Sequence, residues 1–234
     1  AYNSIVAVDS INLEIKPGEQ VCLIGPSGCG KTSLLGLMNG RLESSSGKVV
    51  LDGKELKSLS GKALKTARSK IAWIPQDLGL VPNLRVNQNI ACGRASEKGF
   101  LGLMRSLLLM GSREKEEVAD LLKRVGIKEK IFHRVDHLSG GQQQRVAIAR
   151  ALYQRPEMIL ADEPVSSVDP ERAKSLVELL IGLAREEGQT LVMSLHDIDL
   201  AKRYFDRVIG LREGQVVMDG APDQIDLRQL YDLS

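Results

Sequence analysis

Gly25-Pro26-Ser27-Gly28-Cys29-Gly30-Lys31-Thr32 is the stretch on which the reading of this chain turns. It fits GxxxxGK[ST] in full, and its two flanks give it mechanical meaning. Val21-Cys22-Leu23-Ile24 before it is a continuous apolar run, the pattern of a strand buried on both faces. After it, a helix is expected from about Lys31 to Asn39, with Gly40 as its stop. Glycines placed between such a strand and a helix start let successive backbone N–H groups wrap phosphate oxygens, and the helix N-terminus adds its partial positive charge. Lys31 would reach the β- and γ-phosphates and the Thr32 hydroxyl would ligate Mg2+. The segment reads as a nucleotide phosphate site. Cys29 inside it reads as a small residue tolerated in the loop, not as a nucleophile.

Two further strings belong with it. Met158-Ile159-Leu160-Ala161-Asp162-Glu163 is an apolar strand ending in two acids. Such a strand delivers Asp162 to its carboxyl end beside the phosphate loop, where it can hold Mg2+ through water. Glu163 is then placed to orient or deprotonate an attacking water. Leu138-Ser139-Gly140-Gly141-Gln142 opens a helix expected to run to about Tyr153, and its serine and glycines form a second anion-binding mouth.

Outward from these strings the chain alternates between two characters. Ile11, Leu13 and Ile15 alternate with polar residues at strand period, Pro17-Gly18 makes a turn, and Asp52-Gly53 after Val49-Val50-Leu51 predicts a hairpin. From about Asp77 to Arg155 helical periodicity takes over: Val118, Leu121, Leu122 and Val125 form one stripe, with Ser112 as candidate N-cap and Gly126 as stop. Then α/β alternation returns. Pro170 starts a helix with Ala173, Leu176, Val177, Leu180 and Ala184 on one face, Thr190–Leu195 is a strand, and a short helix precedes a hairpin at Arg212-Glu213-Gly214. The chain has 234 residues, 43% hydrophobic and 26% charged, which excludes disorder, and no apolar run approaches the length of a membrane span. A net charge of +2 demands no polyanionic partner. No signal segment opens the chain, and Cys22, Cys29 and Cys92 show no CxxC spacing, so a reducing cytoplasm is expected. His133 and His137 stand four apart and are not expected to form a metal site.

Taken with the phosphate loop and the two acids, the Leu138–Gln142 string makes the chain resemble the ATP-binding-cassette (ABC) family over nearly its whole length. The resemblance implies an α/β fold: a P-loop NTPase core of the ABC type with an antiparallel β subdomain and an inserted α-helical subdomain. Residues 1–76 and 156–234 would form the ATP-binding core and 77–155 the helical insertion. Tyr2 resembles the aromatic residue that stacks on adenine, and Ser33 extends the phosphate-binding set. The chain opens on Ala1 without the short strand that usually precedes this tyrosine, so a truncated start is expected. Gln76 resembles the hinge glutamine that touches Mg2+ and the water, although Pro75 stands where another apolar or aromatic residue is more usual. His196 resembles the γ-phosphate-sensing histidine. Asp169 resembles the loop that crosses between protomers, with Val168 where leucine is common. In this family one ATP lies between the phosphate loop of one subunit and the Ser139–Gln142 segment of the other. A lone cassette supplies each half once, so a head-to-tail homodimer with two ATPs and Mg2+ is implied, opening on hydrolysis.

Two functional classes compete within the family. Soluble cassettes that act in DNA repair or translation tend to carry tandem cassettes, long insertions or basic arms, none of which is in the sequence, so no nucleic-acid partner is expected. The motor of a membrane transporter fits better: a cytoplasmic subunit, peripheral on the inner face of the membrane, with separate permease subunits and, indirectly, a solute-binding protein. No regulatory domain of the sugar-importer kind is expected after Ser234. The stretches from Gln76 to Arg94, Ser194 to Ala201 and Asp206 to Arg212, with the Leu- and Met-rich Ala95–Arg113, resemble the ATPase subunits of phosphonate and phosphite importers. Importers of phosphate, amino acids or metals share much of this pattern. The Leu/Met segment is read either as a helix packing on the insertion or as a seat for the permease, in which Leu103 and Leu107 would take part.

Overall fold

The computed structural model describes residues 6–166, 168–226 and 230. In chain order its elements are β1 (Gln20–Ile24), α1 (Lys31–Met38), β2 (Val50–Leu51), β3 (Lys54–Glu55), α2 (Gly61–Ser69), β4 (Ile71–Ile74), α3 (Val86–Ala91) and α4 (Ala95–Leu108). There follow α5 (Ser112–Arg124), α6 (Gly140–Tyr153), β5 (Met158–Asp162), α7 (Pro170–Glu186), β6 (Thr190–Leu195), α8 (Ile198–Tyr204), β7 (Arg207–Arg212) and β8 (Gln215–Gly220).

The continuous apolar runs become the middle of a 6-stranded sheet of order β4-β5-β6-β1-β7-β8. Every residue of β1 and β6 is buried, as strands covered on both faces require. Neighbours from β4 to β7 are parallel, and β8 closes the edge antiparallel to β7. The turn at Glu213-Gly214 permits that reversal, with φ 51° and 82°. Burial alternates along β8, which meets water on one face. Strand pleat then divides the core. Cys22, Ile24, Ile159 and Ala161 pack on one side with α6 and α7, while Val21, Leu23 and Leu160 pack on the other with Leu34 and Leu35 of α1.

Parallel strands need crossovers, and the expected helices supply them. The Asp169 side chain accepts from Arg172 N at the start of α7, Pro170 occupies the first turn, and Ala173, Leu176, Val177, Leu180 and Ala184 are all buried. Among the described residues, the stretch from β4 to β5 holds helices and an isolated Arg85–Arg134 bridge. In α5 the stripe Val118, Leu121 and Leu122 faces the core, and Gly126 ends the helix with φ 73°. α4 is interrupted at Gly99, where φ 64° and ψ −179° leave the helical region.

Three local expectations change. Ile11, Leu13 and Ile15 are half-buried between exposed neighbours, but the segment forms no strand. Ser112 enters α5 as its first residue, and Gly111 takes the N-cap, with Gly111 O accepting from Lys115 N. The antiparallel β part reduces, among the described residues, to the β2–β3 hairpin across Asp52-Gly53 and the β8 edge. No helix among the described residues is long and apolar enough to cross a membrane.

Candidate functional site

The loop between β1 and α1 is held in a shape that only glycine can supply. Gly25, Gly28 and Gly30 have φ of 154°, 80° and 109°. A Cβ on Gly25 would lie 2.2 Å from Leu211 O, and one on Gly30 would lie 2.3 Å from Ala7 O, both backbone atoms. At Gly28 the added atom would meet nothing within 4 Å, so backbone and open space adjoin where a phosphate would have to approach. Gly214 N donates to Cys29 O at 3.0 Å and Asp9 N donates to Gly214 O at 2.8 Å, pinning the loop to the β7–β8 turn. Cys29 is buried.

Lys31 is only 5% exposed, and its ammonium donates to Gly25 O at 2.9 Å and Pro26 O at 3.3 Å. Thr32 beside it is exposed and Ser33 half-buried. Asp162 is 3% exposed at the end of β5. The Ser194 hydroxyl, fully buried on the adjoining β6, donates to Asp162 Oδ1 at 2.8 Å and accepts from Glu163 N at 2.8 Å. Glu163 itself has φ 46°, a left-handed conformation costly for a non-glycine residue and typical of functional turns.

Around the Glu163 carboxylate the separate strings meet. His196 Nε2 is 2.6 Å from Oε1, Lys31 Nζ is 3.6 Å from Oε1, and Gln76 Nε2 donates to Oε2 at 3.4 Å. These groups come from the ends of β1, β4, β5 and β6, the carboxyl edge where open parallel sheets bind ligands. Three nitrogen-bearing side chains from separate elements converge on one carboxylate. The structure thus brings together Lys31, Gln76, Asp162, Glu163 and His196. No group of three or more His, Cys, Asp or Glu among the described residues is arranged to hold a metal ion by itself. The Thr32 hydroxyl, the Asp162 carboxylate and the Gln76 amide are a hard oxygen donor set. Such a set suits Mg2+, which takes few protein ligands beside phosphate oxygens.

The Ser139 mouth is built differently. Ser139 caps α6: its Oγ accepts from Gln142 N at 3.4 Å, and Gln142 Oε1 accepts from Ser139 N at 3.1 Å, a reciprocal capping box. Ser139 and Gly140 are exposed, and Cβ atoms on Gly140 or Gly141 would meet nothing within 4 Å. Asp169 caps α7 and pairs with Arg172 at 3.1 Å, its side chain half exposed. Tyr2 lies outside the described residues. His133 and His137 are exposed, the latter 3.7 Å from Asp136. Sequence reading passed over Ser194. Its signal was a hydroxyl inside the otherwise apolar end of Thr190–Leu195, one residue from the strand's end.

A family model described as ABC transporter matches residues 8–166. The phosphonates import ATP-binding protein PhnC of Thiobacillus denitrificans is 42% identical over 233 residues, covering 98% of this chain and 88% of that protein. PhnC 2 of Trichodesmium erythraeum is 43% identical over 235 residues, with the same coverage of 98% and 88%. Among solved structures, cbiO1 of Clostridium perfringens, part of the ABC transporter complex cbiONQ, superposes with TM-score 0.80 at 32% identity, covering 93% of this chain and 83% of that one. A dimeric ATP-binding cassette in a post-hydrolysis state, bound to ADP and Pi, gives TM-score 0.79 at 33% identity over 93% of this chain and 91% of the other.

Proposed function

The chain belongs to the ABC transporter family and is an ATPase of that family; from that premise we propose that it is the motor of a phosphonate importer, working as a head-to-tail dimer around two ATPs. The observation that carries the catalytic part is the Glu163 carboxylate, within 3.6 Å of His196, Lys31 and Gln76 at once.

In this reading, backbone N–H groups of Gly25–Thr32, with Ser33, cradle the phosphates, and Lys31 transfers its hydrogen bonds from Gly25 O and Pro26 O to phosphate oxygens. Thr32, Gln76 and Asp162 would hold Mg2+, which would supply positive charge to offset the negative charge developing on the phosphate oxygens. Glu163 orients the water and takes its proton, and His196 fixes the carboxylate and meets the γ-phosphate. Ser139, Gly140, Gly141 and Gln142, with Asp169, close over the nucleotide held by the second copy. The dimeric form of the cassette at 33% identity supports this arrangement. The all-helical character of α3–α6 supports residues 77–155 as a body that can move against a core of 1–76 and 156–234.

The names of the relatives support phosphonate import, with permease subunits and a solute-binding protein as partners and a place on the cytoplasmic face of the membrane. The solute contacts none of the residues placed in the site. α4 supports the permease contact, though through other residues than the sequence suggested. Leu103 and Leu107 are half-buried, whereas Phe100, Leu101, Leu108 and Leu109 are 77%, 82%, 73% and 77% exposed.

Glu163→Gln tests the catalytic reading. It keeps the side chain's shape and removes its basicity, so turnover should fall about 10²- to 10⁴-fold while ATP still binds and a closed dimer accumulates. Turnover near that of the unchanged chain removes Glu163 from the role. The solute is tested by reconstituting the chain with its permease and binding protein and measuring ATPase stimulation by an alkylphosphonate against inorganic phosphate. Stimulation by phosphate alone reassigns the solute.

A further inference from the structure

α6 grips both loops that carry the reactive groups. Gln144 is 6% exposed, and its Nε2 donates to Pro164 O at 2.8 Å, the carbonyl immediately after Glu163. Its Oε1 is buried without a hydrogen-bond partner among the described residues. Further along the same helix, Arg150 donates from Nη1 to Gly79 O and from Nη2 to Leu78 O, both at 2.6 Å. Those carbonyls lie just after Gln76, where Leu78 and Gly79 turn with φ of 62° and 56°. Burial pulls the Arg150 guanidinium below its ordinary pKa, the Cys92 thiol and the Asp77 carboxyl opposing that effect.

Neither group is an economical way to fill space. A buried amide with an orphaned oxygen and a half-buried cation held by backbone carbonyls both cost stability relative to an apolar side chain of similar volume. What they contribute is geometry. Together they fix Leu78-Gly79 and Pro164 to one rigid helix, and those segments adjoin Gln76 and Glu163, which touch at 3.4 Å.

We propose that Gln144 and Arg150 are positioning residues that set the register of the Gln76 and Glu163 loops and tie it to the helix whose first turn, Ser139–Gln142, meets the second copy. The proposal rests on the dimeric ATPase reading given above. A shift of α6, drawn by the partner's nucleotide at its exposed end, carries both loops with it. The Glu163 carboxylate is then aligned only when the other protomer is in place, so each site reports its occupancy to the other.

The test uses the full chain with Arg150→Met, Arg150→Lys and Gln144→Met, reading amide hydrogen exchange, ATP affinity and turnover side by side. Arg150→Met should release protection at residues 77–80 and lower kcat about ten- to a hundredfold, leaving the dissociation constant for ATP within about twofold. Arg150→Lys keeps the charge and one carbonyl bond and should restore most of the turnover. Gln144→Met should release residues 163–166 and lower kcat by a smaller factor at unchanged ATP affinity. Unchanged exchange overturns the proposal, as does released exchange with normal kcat. Equal losses of affinity, melting temperature and turnover that lysine at 150 does not repair also overturn it, by showing a folding role only. An unchanged chain that binds ATP without hydrolysing it removes the ATPase reading, and this proposal with it. Normal turnover in all three variants removes this proposal alone.

Discussion

The first turn of α1 and the first turn of α6 use the same small residues to opposite ends. At α1 the loop's glycines sit at left-handed φ, with backbone carbonyls of Leu211 and Ala7 pressed against the Cβ positions of Gly25 and Gly30. The lysine that follows is buried among the loop's own carbonyls. At α6 the glycines lie within the helix, open space surrounds them, and the serine does no more inside the chain than cap its own turn. The first mouth is shaped by the chain that contains it. The second is finished locally and shaped for something outside. Glycine is needed in one case because backbone crowds it, and in the other, on the dimer reading proposed above, because a neighbour must come close.

That contrast can be broken by substitution, and the largest effect belongs to the crowded mouth. Gly30→Ala forces a Cβ to 2.3 Å from Ala7 O at φ 109°. It should cost about 3 kcal/mol of stability or more, read by denaturant unfolding. A cost below about 1 kcal/mol would mean that the loop can relax and that its shape is not imposed by the fold. Next comes Lys31→Ala, which removes the charge-assisted hydrogen bonds available to phosphate. ATP affinity should drop about ten- to a hundredfold by equilibrium binding, with the fold retained. Affinity unchanged would shift phosphate binding wholly to the backbone. The smallest effect on stability should come from Gly141→Ala, which gains helix propensity, up to about 1 kcal/mol, since nothing obstructs the methyl group. The same variant should lose ATP-driven dimerisation and most of its turnover. If it dimerises and turns over normally, the α6 mouth is an ordinary capped helix end and the contrast fails.

How much of this was legible beforehand depended on whether local chemistry or distant pairing decided the outcome. Gly25–Thr32, the α7 stripe and the Asp52-Gly53 turn were readable because a spacing or a φ requirement leaves few alternatives. Ile11, Leu13 and Ile15 show the limit of periodicity. Their alternation reports half-burial, which the structure has, but not the sheet partner a strand needs. β4 was passed over because an apolar run as short as Ile71–Ile74 looks the same in a strand or in a buried helical turn, and only its pairing with β5 decides. Side-chain preference alone points to Ser112 as the cap, yet Gly111 is almost as good a cap, and Ser112 fits the first turn. The convergence of Gln76 and His196 on Glu163 lay beyond pattern reading, since Gln76 is 87 positions from the acid it touches. Resemblance to the family supplied those residues. It did not supply Ser194, Gln144 or Arg150, whose roles come from one or two hydrogen bonds each to the backbone or carboxyl groups of the site.

The place of β1 in the sheet has a consequence for how the protein is made. Gln20 pairs with Leu191 and Val21 with Arg207, so the neighbours of β1 on both sides are synthesised more than 170 residues after it. At about 5–20 residues per second, roughly ten to thirty seconds separate synthesis of β1 from synthesis of the strands that flank it. Through that interval an apolar segment followed by a glycine-rich loop waits without its sheet, a setting for chaperone capture or aggregation. The turn at Gly214, which pins Cys29, arrives later still. A nascent chain therefore cannot grasp a nucleotide early, and firm ATP retention marks a polypeptide whose synthesis has passed β7.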